Sequence, residues 1–182
     1  MTASIRTPRL ELTRATVEIL ESDLHDKKEL ARLLRAEIPA AWPPPFLDEN
    51  VLCAFMEMCA DTGESRFSTW YWVRDDPRAG PRTLIGNGGI LPMESAPDAV
   101  ILGYSVLDEF QNRGYATEAI RHLIPHFFTF TGIRRIAATT SPDLGASIRV
   151  LEKNGFTKTN LPLSGTGAEE GSVCYMLEKR SS

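Results

Sequence analysis

The segment DEFQNRGYATEAI, residues 108–120, joins two stretches of different hydrophobic periodicity through a lone glycine, Gly114. Before it, VILGYSVL (residues 100–107) is a continuous apolar run, which predicts a strand covered on both faces. After it, apolar residues recur at helical spacing, which predicts a helix beginning after Gly114. They are Ala116, Ala119, Ile120, Leu123, Phe127 and Phe130. The order of strand, glycine turn and helix guides the interpretation of the rest of the chain.

This junction is a candidate anion site. The first N–H groups of a helix have no partner within it, and the helix dipole adds positive partial charge there. Gly114 permits unusual torsions and the close approach of a ligand. The alternative is a plain turn with solvated Gln111, Asn112 and Arg113, and the loop alone does not decide between the two. It lacks both the Gly-Lys-Ser/Thr of a P-loop and the three spaced glycines of a dinucleotide-binding fingerprint.

Further elements are predicted on both sides of the junction. Alternation and β-formers predict strands over residues 9–15, 69–73, 83–91, 134–140 and 172–179. Apolar spacing predicts helices over residues 17–21 and 26–35 and from Asp48 to about residue 60, with Thr16 and Asp48 as N-caps. Residues 39–46 are too rich in proline for a helix, and residues 164–171 read as a loop.

Several single residues predict local geometry. Gly88-Gly89 indicates a bulge or a close backbone approach within a strand. Pro125 predicts a kink or an early end of its helix. Ser141, followed by Pro142, predicts a helix start. The end of that helix should be a Schellman cap, with Gly155 in the left-handed conformation and the following Phe156 folded back.

Composition narrows the class of protein. The chain has 182 residues, 42% hydrophobic and 24% charged, which favours one domain over residues 1–182. A net charge of −4 without a basic cluster argues against nucleic-acid binding. No apolar run suits a signal peptide or a membrane span, so the cytoplasm is the expected location. The three cysteines lack metal spacing, and His122 and His126 lack a third ligand, so no metal is expected.

Two ordered motifs resemble the GNAT N-acetyltransferase superfamily, and more narrowly its RimJ/RimL-type members. Gln-x-x-Gly-x-Ala is matched by Gln111, Gly114 and Ala116, and ASIRVLEKNGF (residues 146–156) matches a later motif. TPRLELTRA at residues 7–15 is similar to the family's opening strand. The resemblance covers essentially the whole chain. It implies an α/β (α+β) fold with a mixed, mostly antiparallel sheet, a splayed parallel strand pair and helices on both faces.

The resemblance also implies a cosubstrate and a reaction. Acetyl-CoA is expected between strands 100–107 and 134–140, and its acetyl group is expected to pass to a primary amine by direct attack. That amine would belong to a protein N-terminus or a small molecule. No metal is implied, and dimers are common in the family. The implied cofactor contacts are Ser105, Val106, Leu107, Gln111, Asn112, Arg113, Gly114, Tyr115, Ala116, Thr117, Ser147 and Val150.

The donor to the leaving thiolate is one departure from the family pattern. Many members carry a tyrosine where this chain has Leu151, and in RimJ/RimL-type proteins the serine matching Ser147 is the candidate donor. The alternative is that Ser147 is a polar residue near a helix start that bonds back to the backbone. Leu144 replaces an asparagine that contacts the pantetheine arm, so CoA affinity is lower or other groups compensate.

The general base is a second departure. Related sequences carry a glutamate at the position of Ile101, so no base is transferred from the family. Glu94 and Asp98, in the preceding turn, are candidates, and the alternatives are solvated turn residues or a chain of waters. An α-amine titrates near ~8 and a lysine amine near ~10.4. A site without a strong base therefore favours α-amines and other amines of low pKa.

Aromatic residues and a second function remain to be weighed. Trp42, in the loop over residues 39–46, is the predicted aromatic wall for the acceptor. Tyr115 is preferred over Tyr104 as a ligand contact. The competing function is an acyl-CoA-binding sensor or interaction module without catalysis. It is favoured by Ile101, Leu144 and Leu151, which stand where the family pattern has other residues. A nucleotide-phosphate enzyme is a distant third, because no metal-holding aspartate or P-loop lysine is placed for it.

Overall fold

A computed structural model of the chain describes residues 3–62, 67–160 and 171–180. Its strands form one eight-stranded sheet in the order β1-β2-β3-β4-β5-β6-β8-β7. Neighbours pair antiparallel except β5 and β6, which are parallel. The strands are β1 Ser4–Arg6, β2 Leu10–Arg14, β3 Ser68–Arg74, β4 Thr83–Pro92, β5 Ala99–Val106, β6 Arg135–Thr140, β7 Thr157–Thr159 and β8 Val173–Glu178. The short edge strands β1 and β7 were not predicted from the sequence.

Five α-helices of the described residues accompany the sheet: α1 Val17–His25, α2 Lys27–Leu34, α3 Glu49–Thr62, α4 Tyr115–Phe127 and α5 Gly145–Lys153. Two predicted N-caps are confirmed. The Thr16 hydroxyl accepts from the Ile19 amide at 3.3 Å, and the Asp48 carboxylate accepts from the Val51 amide at 2.9 Å. Each cap satisfies an amide that the first turn of a helix leaves without a partner. Among the described residues, no helix is long and apolar enough to cross a membrane.

Helices cover both faces of the sheet, as predicted. Trp70 and Tyr71 are neighbours on β3, so their side chains point to opposite faces. The Trp70 ring meets His126 of α4, with centroids 5.0 Å apart. The Tyr71 hydroxyl donates to Asp23 of α1 at 2.7 Å. The core therefore has two layers, with α4 on one side of the sheet and α1 on the other.

Gly88 and Gly89 make the close approach that the sequence indicates. A Cβ on Gly88 would lie 2.5 Å from Trp72 Cζ2, and one on Gly89 would lie 2.1 Å from the Ser68 carbonyl oxygen. The irregularity in pairing lies elsewhere, between Trp72 and Val73 of β3. The two glycines therefore leave room for atoms of neighbouring residues, and they do not form a bulge.

The start of α5 differs from the prediction. The helix begins at Gly145, and Ser141 does not cap it. The chain first makes a turn, closed by the Leu144 amide donating to the Ser141 carbonyl at 3.0 Å. The Ser141 hydroxyl accepts from the Asp143 amide at 3.4 Å within that turn.

The end of α5 is confirmed as a Schellman cap. Gly155 has φ +86°, the left-handed region. The Phe156 amide donates to the Leu151 carbonyl at 3.1 Å and the Gly155 amide to the Glu152 carbonyl at 3.0 Å, which is the pair of bonds that defines the motif. α4 also ends as predicted, at Phe127, soon after Pro125. The predicted loop over residues 164–171 lies outside the described residues except for Gly171.

Candidate active site

The parallel pair at the centre of the sheet separates partway along its length. Pairing between β5 and β6 covers Ala99 with Arg135, Val100 with Ile136 and Ile101 with Ala137, and then ends. β5 continues to Val106 and β6 to Thr140. Beyond Ile101, β5 therefore presents edge N–H and C=O groups to a gap between the strands. Such groups bind an extended ligand that carries amides.

The open part of β5 is not covered on both faces, contrary to prediction. Val100, Leu102 and Val106 are buried, but Gly103 is exposed and Ser105 half-buried. A Cβ on Gly103 would meet nothing within 4 Å. The sequence VILGYSVL is apolar at most positions, so it did not predict this alternation. The glycine and the serine of the run lie on the more open face.

The glycine loop follows β5 directly. Gly114 has φ +81° and precedes α4, whose N-terminus has no side-chain cap. Asn112 has φ +58°, a conformation that asparagine tolerates better than most residues. The Gln111 side-chain amide donates to the Val106 carbonyl and to the Asp108 carboxylate, each at 2.9 Å. The Gln111 side chain therefore braces the loop, and the uncapped amides at the start of α4 remain available for an anion.

Arg9 supports this helix start, and the sequence analysis missed it. Its Nε donates to Glu118 at 2.7 Å, its backbone amide to Glu118 at 2.8 Å, and its Nη1 to the Arg113 carbonyl at 2.9 Å. The Thr7 hydroxyl also donates to Glu118, at 2.6 Å. Burial alone would raise the pKa of Glu118, but the hydrogen bonds from Thr7 and Arg9 outweigh it and lower the pKa. Arg9 thus offsets an ionised carboxylate in the first turn of α4.

Tyr104 contacts Ser147, whereas the Tyr115 ring contacts Arg9. The Tyr115 side chain is buried, with the Arg9 guanidinium 4.5 Å from its ring centroid. The Tyr104 hydroxyl lies 3.0 Å from the Ser147 hydroxyl and donates to the Ser147 carbonyl at 3.2 Å. Burial raises the pKa of Tyr104 to about 12, against a smaller lowering by Ser147. Ser147 of α5 is therefore held against β5, beside the separated strands.

The other predicted cofactor residues differ in what they offer. Leu107 is unsuited as a polar contact, because its amide donates to Ile85 and its carbonyl accepts from Phe110, both at 2.9 Å. Ser105 is half-buried on the open face of β5. Ala116 and Thr117 lie half-buried in the first turn of α4, and Val150 lies one turn after Ser147 on α5.

Comparison with known proteins agrees with this geometry. The profile of the acetyltransferase (GNAT) domain matches residues 14–157. The chain belongs to the GNAT acetyltransferase family. YoaA, an N-acetyltransferase of Bacillus subtilis, is 32% identical over 110 residues, which cover 60% of this chain and 60% of YoaA. The matching part of this chain thus covers about three fifths of that relative's length.

Two solved structures share the GNAT fold at low sequence identity. The ribosomal-protein-S5-alanine acetyltransferase of Vibrio fischeri is 19% identical, with a TM-score of 0.63 over 97% of this chain and 96% of its own. The microcin C7 self-immunity acetyltransferase MccE, solved with acetyl-CoA and AMP, is 17% identical, with a TM-score of 0.61 over 95% of this chain and 94% of its own. At these identities the likeness shows the fold alone.

Ile101 of β5 lies in apolar surroundings. That residue packs on a small cluster separate from the main core, formed by Met93, Ala99, Ala137 and Met176. Glu94 is exposed in the turn between β4 and β5. Asp98 is held by Arg135 at 2.6 Å, and this hydrogen bond lowers the pKa of Asp98. Asp98 therefore belongs to a structural ion pair, which leaves Glu94 as the predicted base still to be tested.

Trp42 does not form the predicted acceptor wall. It is 6% exposed, and its Nε1 donates to Asp23 at 2.7 Å. Asp23 is itself 1% exposed and also accepts from Tyr71 and pairs with Lys27. The tryptophan therefore anchors the proline-rich loop to α1. A Pro-rich surface loop gives no local signal for this burial, because the partner lies on another element.

The histidines serve packing. Burial lowers the pKa of His126, and its ring contacts Trp70 and Phe130 at 5.0 and 5.2 Å between centroids. The His122 ring nitrogen meets the Glu118 carbonyl within its own helix at 2.9 Å. Across residues 3–62, 67–160 and 171–180, no group of three or more His, Cys, Asp or Glu side chains is placed to hold a metal ion.

Proposed function

We propose that this GNAT domain transfers the acetyl group of acetyl-CoA to a primary amine, which attacks the thioester carbonyl directly. The observation that supports this best is the partial pairing of β5 with β6. The free edge of β5 leads to Gly114 and the uncapped start of α4. A ligand with amides followed by a pyrophosphate, as in CoA, matches that order of unpaired groups.

The residues proposed to hold the cosubstrate follow from that order. The edge of β5 at Ser105 and Val106 would pair with the pantetheine amides. The backbone amides of residues 112–117 would bind the pyrophosphate, with Arg9 keeping the local charge favourable by offsetting Glu118. Ser147 and Val150 would face the gap from α5. Acetyl-CoA supplies an activated acetyl thioester when it is bound.

The chain's own groups then act on charge that develops during transfer. An N–H on the free edge of β5 would polarise the thioester carbonyl. The Ser147 hydroxyl would donate a hydrogen bond to the leaving thiolate. A thiol titrates near ~8.5, well below the pKa of Tyr104 at about 12. The Ser147–Tyr104 pair therefore stabilises the thiolate as a hydrogen-bond donor and does not surrender a proton to it.

The acceptor we propose is an amine of low pKa, such as a protein N-terminus or a small-molecule α-amine. An apolar cluster surrounds Ile101, so a strongly cationic acceptor gains no carboxylate there. We propose that water carries the amine proton away, with Glu94 as its acceptor. The V. fischeri structural neighbour is named for an alanine acetyltransferase activity on ribosomal protein S5.

A thiol-release assay with matched peptides tests the proposal. A peptide with a free α-amine should raise release of CoA from acetyl-CoA above the background rate. The same peptide with its N-terminus blocked and one lysine exposed should be a poorer acceptor, and the rate should follow the α-amine with an apparent pKa near ~8. Glu94→Gln should lower the rate across the whole profile, and an unchanged rate would exclude Glu94 as the proton acceptor.

The competing function is a CoA-binding sensor, and the same protein distinguishes it. The residues that differ from the family pattern favour the sensor. One of them, Leu144, is 51% exposed and offers no polar group to a ligand. A rise in melting temperature with CoA, without turnover on any amine, would support the sensor and refute the transferase.

Domain organisation, location and assembly belong to the same proposal. We propose one GNAT domain over residues 1–182, which is supported by a sheet that includes strands from β1 to β8. We also propose that it acts in the cytoplasm. A homodimer is tested by light scattering of the purified chain, where a mass near 20.2 kDa would exclude it.

A further inference from the structure

Tyr104 contacts the proposed leaving-group donor through both polar atoms of Ser147. Its hydroxyl lies 3.0 Å from Ser147 Oγ and 3.2 Å from the Ser147 carbonyl oxygen. These contacts join β5 to the first turn of α5 across the place where β5 and β6 separate. A tyrosine that served only to fill the core would not need to meet the hydroxyl of a residue at this gap.

The Tyr104 ring is held in place by a stack on Trp72. The ring centroids are 6.4 Å apart and the planes differ by 22°. The two residues lie on β5 and β3, and β4 runs between them. On β4, a Cβ at Gly88 would lie 2.8 Å from Tyr104 Cβ as well as 2.5 Å from Trp72 Cζ2. The glycine therefore makes room for the stack, and the stack fixes where the Tyr104 hydroxyl lies.

Two hydrogen-bond arrangements are open to this pair. When Tyr104 donates to the Ser147 carbonyl, Ser147 donates to the phenol oxygen and its proton is occupied. When Tyr104 donates to Ser147 Oγ, the serine proton is free to point elsewhere. A thiolate forming beside Ser147 favours the second arrangement, because a hydrogen bond to an ionised acceptor is roughly twice as strong as a neutral one.

We propose that Tyr104 is a positioning residue, which directs the Ser147 O–H towards the sulfur of the leaving thiolate. This inference rests on the proposed function. In the step it assists, the amine nitrogen bonds to the acetyl carbon and the carbon–sulfur bond breaks, with the electron pair going to sulfur. The amine loses one proton to water. Tyr104 and Ser147 keep their protons throughout.

Tyr104→Phe isolates the hydroxyl, because the ring and its stack on Trp72 remain. The variant should lower kcat by roughly fivefold to tenfold, the size expected for one intramolecular hydrogen bond, and leave the KM for acetyl-CoA within about twofold. Ser147→Ala should lower kcat by about 10-fold to 100-fold, since it removes a bond to a charged group. Tyr175→Phe, at a buried position on β8, is the matched control and should leave kcat unchanged.

A double-mutant cycle separates positioning from general support of the fold. If Tyr104 acts through Ser147, Tyr104→Phe should have no further effect on kcat in the Ser147→Ala background. An equal loss in both backgrounds, or no loss in the wild-type background, would overturn the inference. Wild-type protein without turnover would instead refute the proposed function, and this inference would fall with it.

A more acidic phenol provides a second measurement should Tyr104→Phe fold poorly. Incorporating 3,5-difluorotyrosine at position 104 keeps the hydroxyl and its packing but lowers the pH at which the phenol ionises. An ionised phenolate cannot donate to Ser147, so kcat should acquire a new alkaline decline that the wild-type enzyme lacks. A profile that coincides with the wild type, with the analogue confirmed by mass spectrometry, would contradict the positioning role.

Discussion

Gly88→Ala is the substitution that connects packing within the sheet most directly to activity. The added methyl enters the space between β3 and β5, where the Trp72 and Tyr104 rings stack. Gly103→Ala is its matched control on the neighbouring strand. Gly88 of β4 pairs with Tyr104 of β5, and Gly103 of β5 pairs with Gly89 of β4. A Cβ on Gly103 would nevertheless meet nothing within 4 Å. The two variants therefore add the same atom, one to a filled site and one to an open site.

The size of the effect follows from the distances. The methyl at Gly88 would lie 2.5 Å from Trp72 Cζ2 and 2.8 Å from Tyr104 Cβ. Carbon atoms in contact sit about 3.5–4.0 Å apart, so the rings must move by about 1 Å. Overpacking of this kind costs about 1–3 kcal/mol. At about 2–4 °C per kcal/mol for a chain of this length, the melting temperature should fall by roughly 2–12 °C.

Circular dichroism melts and steady-state kinetics measure the two consequences together. Gly88→Ala should melt lower and also lose kcat, because a displaced Tyr104 no longer meets Ser147. Gly103→Ala should keep the wild-type melting temperature within about 4 °C, since a compatible Gly-to-Ala change alters stability by only about 0.4–1 kcal/mol. Its methyl faces the proposed acceptor side, so the KM for the amine should rise. Equal melting temperatures for the two variants would refute the packing argument.

Three further predictions concern the glycine loop, its ion pair and the buried carboxylate of α1. Gly114→Val, at φ +81°, should weaken CoA binding at least tenfold by calorimetry while the protein still folds; an unchanged Kd would exclude the predicted anion site. The pKa of Glu118 is lowered in the fold, so its stabilisation is present above the unfolded value of 4.5 and is lost as pH falls through the folded pKa. Urea unfolding of Glu118→Gln should therefore depend less on pH than the wild type between pH 5 and 3 (roughly), and parallel curves would contradict this. Asp23→Ala should destabilise the protein by about 3 kcal/mol, the lower end for a buried pair, because its partner lysine is 44% exposed, whereas Glu29→Ala on an exposed pair should leave the melting temperature close to that of the wild type; similar losses for the two variants would refute the contrast.

Features encoded by a few consecutive residues were predictable from the sequence. Thr16, Asp48 and Gly155 each mark a helix end through a bond to an amide or carbonyl within a few positions along the chain. The separated strand pair was also expected, but from the two family motifs rather than from periodicity. Hydrophobic pattern alone identifies strands, and it carries no information on where two of them stop pairing.

Features that depend on distant partners were missed. Ser141 and Pro142 form a good local helix start, yet the chain turns once more before Gly145. Trp42 sits in a loop of surface composition and is buried by a hydrogen bond to Asp23, 19 residues away in sequence. Arg9 and Glu118 are separated by 109 residues and meet only because β2 and α4 come together in the fold. The residues next to each of these positions in the sequence do not predict contacts with such distant partners.

Alternation along β5 offers a physical reason to prefer an enzyme over a sensor. Tyr104 lies on one face with its hydroxyl at Ser147, and Ile101 and Gly103 lie on the other. An isoleucine instead of a carboxylate at position 101 therefore does not alter the face that carries the Tyr104–Ser147 contact. A module that only bound CoA would have no use for a serine hydroxyl held by a tyrosine whose ring is itself fixed by a stack. Under the proposed function, the apolar side sets which amines can react, because an acceptor that receives little help with deprotonation must already be partly neutral at the working pH.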